Sequence, residues 1–147
     1  RKPNFEIQHS VEFLRDQLAE GKLDLEKGDE TIIYHDPCEL GRLSGIIKEP
    51  REALSYLTSN QIEFDENGID SKCCGGGGLL QGVNNDMRLD IVKIKLEEAL
   101  AKNADILVSA CPACKLAFVD GAREHEIELE IRDIHEIVAK RFGVLEE

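Results

Sequence analysis

The sequence is poor in aromatic residues, with no Trp, two Tyr and five Phe among 147 residues. Proteins that bind single-stranded nucleic acid stack the bases on aromatic side chains, so this scarcity argues against such a platform. Basic residues are also in the minority: 18 stand against 30 acidic residues, which gives a formal net charge of −12. Because this charge repels phosphate backbones, nucleic acid is not an expected partner.

Long hydrophobic runs are missing as well. A membrane-spanning helix needs about 20 apolar residues, and the longest run here, residues 104–114, contains Asp105 and Pro112. The opening residues Arg1 to Asn4 lack the pattern of a signal peptide, and the chain does not begin with Met. We therefore expect no transmembrane segment, and we expect a fragment or processed product that is cytoplasmic or held peripherally on a membrane complex by its partners.

Cysteine is present in an odd number, five, so the thiols cannot all pair within the chain. Clustered cysteines in a reducing compartment usually bind metal or perform redox chemistry. The length is that of one ordinary domain. We expect residues 1–30 to form an N-terminal helix and linker, and residues 31–147 to form one cysteine-rich domain.

Hydrophobic patterning predicts alternating helices and strands. The predicted helices cover residues 5–18, 50–57, 84–102 and 133–142, and a further helix begins near Cys111. The predicted strands cover residues 31–35, 62–64, 104–110 and 127–131, with loops at 58–60 and 71–78. The helix at 84–102 carries two apolar rows, which predicts that neighbours cover it well. The alternation predicts an α/β fold in which helices flank a mostly parallel sheet of about four strands in Rossmann-like layers.

The cysteines follow the spacing C-x34-C-C-x36-C-x2-C. Cys38 comes after the strand at 31–35, and the pair Cys111 and Cys114 comes after the strand at 104–110. Ligands in parallel sheets bind at the carboxyl ends of strands. We therefore expect the cysteines at that edge, where the loop carrying Cys73 and Cys74 could join them.

The spacing favours a cluster of several irons. The two thiolates of the C-x2-C unit lie about one turn apart and can reach one metal or one cluster. The side chains of adjacent Cys73 and Cys74 diverge, which suits several irons better than one tetrahedral ion. Glycines 75–78 permit close backbone approach and offer amide donors to the sulfurs. Buried cysteines are often only small apolar residues, but five of them in three groups make that alternative a minority one.

The pattern Asp36-Pro37-Cys38, Cys73-Cys74-Gly75 to Gly78 and Cys111-Pro112-Ala113-Cys114 resembles the cysteine-rich CCG domain of heterodisulfide reductase catalytic subunits. Related domains occur in iron-sulfur subunits of glycolate oxidase and anaerobic glycerol-3-phosphate dehydrogenase. The resemblance covers residues 31–142. It implies a non-cubane [4Fe-4S] centre, held by all five cysteines, that relays electrons or reduces a disulfide or similar acceptor. Implied partners are subunits of a redox complex, with a ferredoxin-like or flavoprotein donor.

The family's catalytic subunits contain two such domains, and this chain has one, which favours part of an oxidoreductase over a complete enzyme. Two alternatives stay open. One is a structural zinc site formed by Cys38, one of Cys73 and Cys74, Cys111 and Cys114. The other is a metal-free dithiol redox pair at Cys111 and Cys114.

Other residues near the cysteines receive weaker assignments. His35 could tune or ligate the centre, but a structural role in the core is favoured two to one. Asp36 is expected to form an Asx turn that positions Cys38. Lys72 and Lys115 could offset thiolate charge. The remaining histidines are expected to be solvated: His9, His125 and His135.

Overall fold

A computed structural model of the chain describes residues 4–145. The four strands are β1 (Gly28–His35), β2 (Thr58–Glu63), β3 (Ile106–Ser109) and β4 (Glu130–Asp133), and they form one parallel sheet in the order β2-β1-β3-β4. The helices are α1 (Ser10–Ala19), α2 (Lys48–Leu57), α3 (Leu80–Val83), α4 (Asn85–Ala101), α5 (Pro112–Glu124) and α6 (Ile134–Arg141). The predicted α/β fold is confirmed.

Helices cover both faces of the sheet, because the strand residues alternate between two apolar clusters. Ile32 and Tyr34 of β1 pack with α1, α2 and α6 on one face. Ile33 of the same strand and Leu107 of β3 pack with α4 and α5 on the other face. This two-sided burial explains why the core strand segments are almost continuously apolar.

The N-terminal helix is shorter than predicted. It begins at Ser10, because His9 caps it: the Val11 amide donates to His9 Nδ1 at 3.2 Å, and the His9 amide donates to Glu12 Oε2 at 2.9 Å. This reciprocal capping box stabilises a helix start at that point. Phe5 and Ile7 precede the helix and are 68% and 78% exposed. His9 is thus a partly buried capping residue rather than a solvated one.

All four strands differ from their predicted bounds: β1 begins earlier, at Gly28, β3 is shorter, and the differences at β2 and β4 have clear causes. Residues 58–60, predicted as a loop, belong to β2, because pairing with β1 and a 2.7 Å hydrogen bond from Thr58 Oγ1 to the Glu30 carbonyl hold them there. Strand β4 begins at Glu130 rather than at Ile127. The Ile127 amide instead donates to the Ala122 carbonyl at 2.9 Å and completes the end of α5.

Helix α4 buries one apolar row rather than two. Val92 and Leu96 are fully buried, whereas Met87 and Ile94 are 54% and 57% exposed. The buried row meets α5 closely at Gly121, where an added Cβ would lie 2.1 Å from Val92 Cγ1. Within residues 4–145, no helix combines the length and apolar character needed to cross a membrane.

Candidate metal centre

The three cysteine segments meet at the carboxyl edge of the sheet. Strand β1 ends at His35, three residues before Cys38, and its neighbour β3 ends at Ser109, two residues before Cys111. Cys111 is the N-cap of α5, and Cys114 lies in the first turn of that helix. These placements confirm the predicted strand-to-helix junctions.

The glycine loop brings the third segment to the same place. Gly76 lies so close to α5 that an added Cβ would be 2.8 Å from the Ala113 carbonyl oxygen and 3.0 Å from Ala117 Cβ. Gly75 has a φ of +76° and packs equally closely against the Arg88 carbonyl of α4. Only residues without a Cβ can pass between these helices and deliver Cys74 beneath them.

Three of the five sulfurs come together. The sulfurs of Cys74 and Cys114 are 3.1 Å apart, and the two residues are 5% and 3% exposed. Cys111 is half-buried and lies close enough to Cys114 for that thiol to lower its pKa. The structure therefore brings together one cysteine of the Cys73-Cys74 pair and both members of the C-x2-C unit.

The proximity of the three thiols gives them different pKa values. Hydrogen bonds to the sulfurs of Cys111 and Cys74, together with burial, raise the pKa of Cys114, so this thiol keeps its proton. The thiol of Cys114, with a smaller contribution from His35, lowers the pKa of Cys74 against the opposing effect of burial. The Cys114 thiol and the backbone amides of Ala113 and Cys114 lower the pKa of Cys111 to about 6. The site thus favours the thiolate, the form of cysteine that binds metal, at Cys74 and Cys111 but not at Cys114.

Cys38 and Cys73 are both exposed. Among residues 4–145, the compact group of ligand atoms is formed by His35, Cys74 and Cys114, and Cys38, Cys73 and Cys111 lie outside it. The Gly75 amide donates to Cys73 Sγ at 3.3 Å, and the Gly76 amide donates to Cys74 Sγ at 3.4 Å. The amide donors expected from the glycine run are therefore present at both adjacent cysteines.

Asp36 and Arg42 connect the Cys38 segment to the segment that leads to Cys73. Asp36 accepts hydrogen bonds from Arg51 Nη1 at 2.7 Å, from Arg51 Nη2 at 2.8 Å and from the Gly68 amide at 2.7 Å. These contacts take the place of the expected Asx turn. Arg42, in the π-helical turn after Cys38, donates to the carbonyls of Ile69 and Ser71 at 3.1 and 2.6 Å. The two exposed cysteines therefore lie on segments that are fixed to each other.

His35 lies in the core, as the favoured prediction has it, and also beside the buried cysteines. Its side chain and the sulfurs of Cys74 and Cys114 form a buried group in which the ligand atoms lie within 4.8 Å of one another. His35 itself is 1% exposed. It follows Ile33 on the same face of β1, so its position at the strand end beside the cysteines was the signal that could have identified it.

The other flanking residues have structural partners. Lys115 forms an ion pair with Glu136 of α6 at 2.5 Å, and Lys72 pairs with Glu66. His125 lies at the end of α5 with Nε2 3.1 Å from the Leu89 carbonyl, and His135 contacts Asp133 at 2.7 Å. Both histidines are partly buried, so the expectation that they are solvated was wrong.

The residues present fit a thiolate-bound metal group. Soft thiolates are the ligands of iron-sulfur clusters and of zinc. Two backbone amides already donate to cysteine sulfurs, as the stabilisation of cluster sulfur requires. The buried Nδ1 of His35 has no hydrogen-bond partner among residues 4–145. An unpaired buried nitrogen beside two sulfurs marks a site formed for binding rather than for packing alone.

Comparisons with known proteins identify close relatives. A family model described as the CCG cysteine-rich domain matches residues 32–119. One subunit of the dihydromethanophenazine:CoB-CoM heterodisulfide reductase from Methanosarcina acetivorans is 37% identical over 142 residues, which cover 95% of this chain and 35% of that protein. A probable iron-sulfur-binding oxidoreductase of Bacillus subtilis is 32% identical over 92% of this chain and 20% of its own length.

A third relative is one of the subunits of the CoM/CoB fumarate reductase from Methanothermobacter marburgensis, which is 29% identical over 92% of this chain and 28% of its own length. The chain thus spans about a third or less of these relatives.

Proposed function

The chain belongs to the cysteine-rich CCG domain family, and on that premise we propose that it binds an iron-sulfur cluster and transfers electrons within an oxidoreductase. The family predicted from the cysteine pattern is confirmed. Relatives named as a heterodisulfide reductase subunit and as an iron-sulfur-binding oxidoreductase support the proposal. The observation that carries it is the convergence of Cys74, Cys111 and Cys114 at the edge of the sheet.

The proposed ligands are the five cysteines Cys38, Cys73, Cys74, Cys111 and Cys114. The last three already lie together, and the amides of Gly75 and Gly76 donate to the adjacent pair. One-electron transfer is the chemistry that a bound cluster supplies there. The residues of the chain supply thiolates, amide donors and an apolar floor that excludes water from Cys74 and Cys114.

We propose the non-cubane [4Fe-4S] type for this cluster. Five thiolates exceed the four that an ordinary cubane cluster uses. Cys73 and Cys74 are adjacent, one exposed and one buried, so their sulfurs approach the site from different depths. Several irons can accept such a divergent pair, whereas one tetrahedral ion cannot use both readily.

Relatives named as subunits of a heterodisulfide reductase and of a fumarate reductase support a proposal about the electron acceptor and the partners. We propose that the acceptor is a disulfide or a similar group and that the donor is a ferredoxin-like or flavin-containing protein. We further propose that residues 31–147 are one CCG domain of a longer oxidoreductase polypeptide, with residues 1–30 as its N-terminal helix and linker. The net charge of −12 favours docking to basic partner surfaces.

A structural zinc site is the second candidate. The observation that favours it is the buried group of His35, Cys74 and Cys114, whose ligand atoms lie within 4.8 Å of one another. Zinc binds imidazole and thiolate together in tetrahedral sites. This candidate leaves Cys38, Cys73 and Cys111 without a role, so it ranks below the cluster.

Anaerobic purification followed by iron, acid-labile sulfide and zinc analysis separates the two candidates. The cluster proposal predicts about four irons and about four sulfides per chain. One zinc without sulfide would support the second candidate, and no metal with a titratable dithiol would support the metal-free redox pair. Single Cys73→Ser and Cys74→Ser variants test the ligand set: full cluster content in either variant would contradict five-cysteine ligation.

A further inference from the structure

His35 is packed beside the buried sulfurs. Its imidazole meets the ring of Phe118 edge-on with centroids 5.0 Å apart, and it meets Phe64 in the same manner at 6.3 Å. Ser109 Oγ donates a hydrogen bond of 3.2 Å to the His35 carbonyl, which ties the ends of β1 and β3 together. The ring therefore packs against two aromatic side chains at the end of β1.

The polar atoms of this ring have few possible partners. Among residues 4–145, Nδ1 is buried without a hydrogen-bond partner. The sulfurs of Cys74 and Cys114 lie with the ligand nitrogen of His35 in one group whose members are all within 4.8 Å. A buried imidazole surrounded by aromatic rings is costly unless its N–H finds an acceptor, and these sulfurs lie near the ring, within 4.8 Å of one of its nitrogens.

We propose that His35 is a positioning residue whose ring N–H donates a hydrogen bond to the Cys74 sulfur and so raises the reduction potential of the cluster that Cys74 holds. This inference rests on the proposed iron-sulfur function. Adding an electron increases the negative charge on the sulfurs, so an N–H donor to a ligand sulfur stabilises the reduced state more than the oxidised state. The packed ring also holds Cys74 beneath the glycine loop.

The first test measures the midpoint potential in His35→Phe and His35→Gln variants of the anaerobically reconstituted chain. Phe keeps the packing between Phe64 and Phe118 but removes the donor, whereas Gln keeps an N–H donor. We expect His35→Phe to retain its iron and to shift the potential to more negative values, with His35→Gln between it and the unmodified chain. An unchanged potential in His35→Phe at full iron content would overturn the inference.

The control is His125→Gln. His125 lies at the opposite end of α5 from Cys111 and Cys114, with Nε2 3.1 Å from the Leu89 carbonyl. This variant should leave the midpoint potential unchanged. A shift as large as that of His35→Phe would show that any histidine replacement perturbs the centre, and the inference would fall.

Pulsed electron paramagnetic resonance of the reduced chain, labelled with ¹⁵N-histidine, distinguishes a hydrogen-bonded ring from a ligand. We expect a weak nitrogen coupling that disappears in His35→Phe. A strong coupling typical of a bound imidazole would overturn the positioning role in favour of ligation, and no coupling would overturn the contact itself.

A metal-free measurement separates failure of this inference from failure of the proposed function. In long-range ¹H–¹⁵N spectra of the reduced chain, the His35 ring signals should move in Cys74→Ala, while those of His125 stay in place. Unmoved His35 signals would overturn the inference whatever the iron analysis shows. Moved signals in a chain that binds no iron would support the contact and contradict only the cluster proposal.

Discussion

At the scale of single residues, Asp36 joins two of the three cysteine segments. Its side chain is 1% exposed and accepts two hydrogen bonds from Arg51 and one from the Gly68 amide. Arg51 also pairs with Glu63 of β2 at 2.7 Å. A buried carboxylate with three donors fixes the loop after β1 against the segment that leads to Cys73.

Replacing Asp36 with Asn should destabilise the fold by about 3 kcal/mol, because it leaves the Arg51 charge poorly compensated in a largely buried place. Urea unfolding of the reduced, metal-free chain measures this change. Asp65→Asn is the matched control: Asp65 also pairs with a cation, Lys102 at 2.6 Å, but its side chain is 80% exposed. This variant should change the free energy of unfolding little. Equal decreases in the two variants would show that Asp36 has no special role in stability.

Cys111 should remain reactive at mildly acidic pH, because its pKa is lowered to about 6, chiefly by the hydrogen bond from Cys114. Alkylation of the reduced, metal-free chain, followed peptide by peptide with mass spectrometry, should give a midpoint of about 6 for this thiol. In urea the midpoint should rise to the ordinary value of about 8.5. The Cys114→Ala substitution should also raise the alkylation midpoint of Cys111. An unchanged midpoint in this variant would contradict the proximity of the two thiols.

The lowered pKa of Cys111 also makes the stability of the metal-free chain depend on pH. A thiol whose pKa is lower in the folded state favours folding above its unfolded pKa of about 8.5. This contribution declines as the pH falls and is lost once the pH passes below about 6. The metal-free chain therefore loses this part of its stability on mild acidification.

The sequence identified part of the site at this scale. The placement of Cys38 and Cys111 after strands was predictable because it depends on local patterns, whereas ligation by all five cysteines stays a prediction. The contacts of Asp36 with Arg51 and Gly68, and of His35 with Cys74, were not predictable, because each joins segments 15 to 39 residues apart and depends on how the loops pack. Local sequence patterns do not predict how these loops pack.

At the scale of elements, the glycine loop and helix α5 form the most constrained contact of the site. A Cβ on Gly76 would lie 2.8 Å from the Ala113 carbonyl, a backbone atom that cannot move without bending the helix. Gly77 has no atom within 4 Å of the same position. A methyl side chain at position 76 would therefore clash with α5, whereas one at position 77 would meet no atom.

Gly76→Ala should push the loop away from α5, lengthen the distance between Cys74 and Cys114, and lower the iron bound after anaerobic reconstitution. Gly77→Ala is the control and should bind iron like the unmodified chain. Iron and sulfide analysis of both variants gives the answer. Equal iron contents would show that the close approach of Gly76 is not needed to form the site.

Elements differ in how far the sequence predicted them. Strand β3 was predicted well because burial on both faces leaves an almost unbroken apolar run. The prediction placed the start of β2 too late in the chain. Ser59 and Asn60 lack strand preference and are held in the strand by pairing with β1. Helix α4 was expected to be covered on two rows, but Met87 and Ile94 are exposed. Periodicity shows which residues are apolar, not whether a neighbour covers them.

At the scale of the whole molecule, the site occupies the position that parallel sheets use for ligands. The order β2-β1-β3-β4 reverses direction between β1 and β3, and the loops after these two strands carry Cys38 and Cys111. A cleft of about 240 Å³ opens between these loops, lined by Pro37, Glu39 and Cys111 among others. Because the connections after β1 and β3 lead to opposite sides of the sheet, a crevice for a ligand is left beside the cysteines.

Native mass spectrometry of the anaerobically reconstituted chain tests the central claim most directly. The account predicts a mass increment equal to about four irons and four sulfides, which disappears in Cys74→Ser. An increment equal to one zinc, or no increment at all, would contradict the claim that these cysteines hold an iron-sulfur cluster.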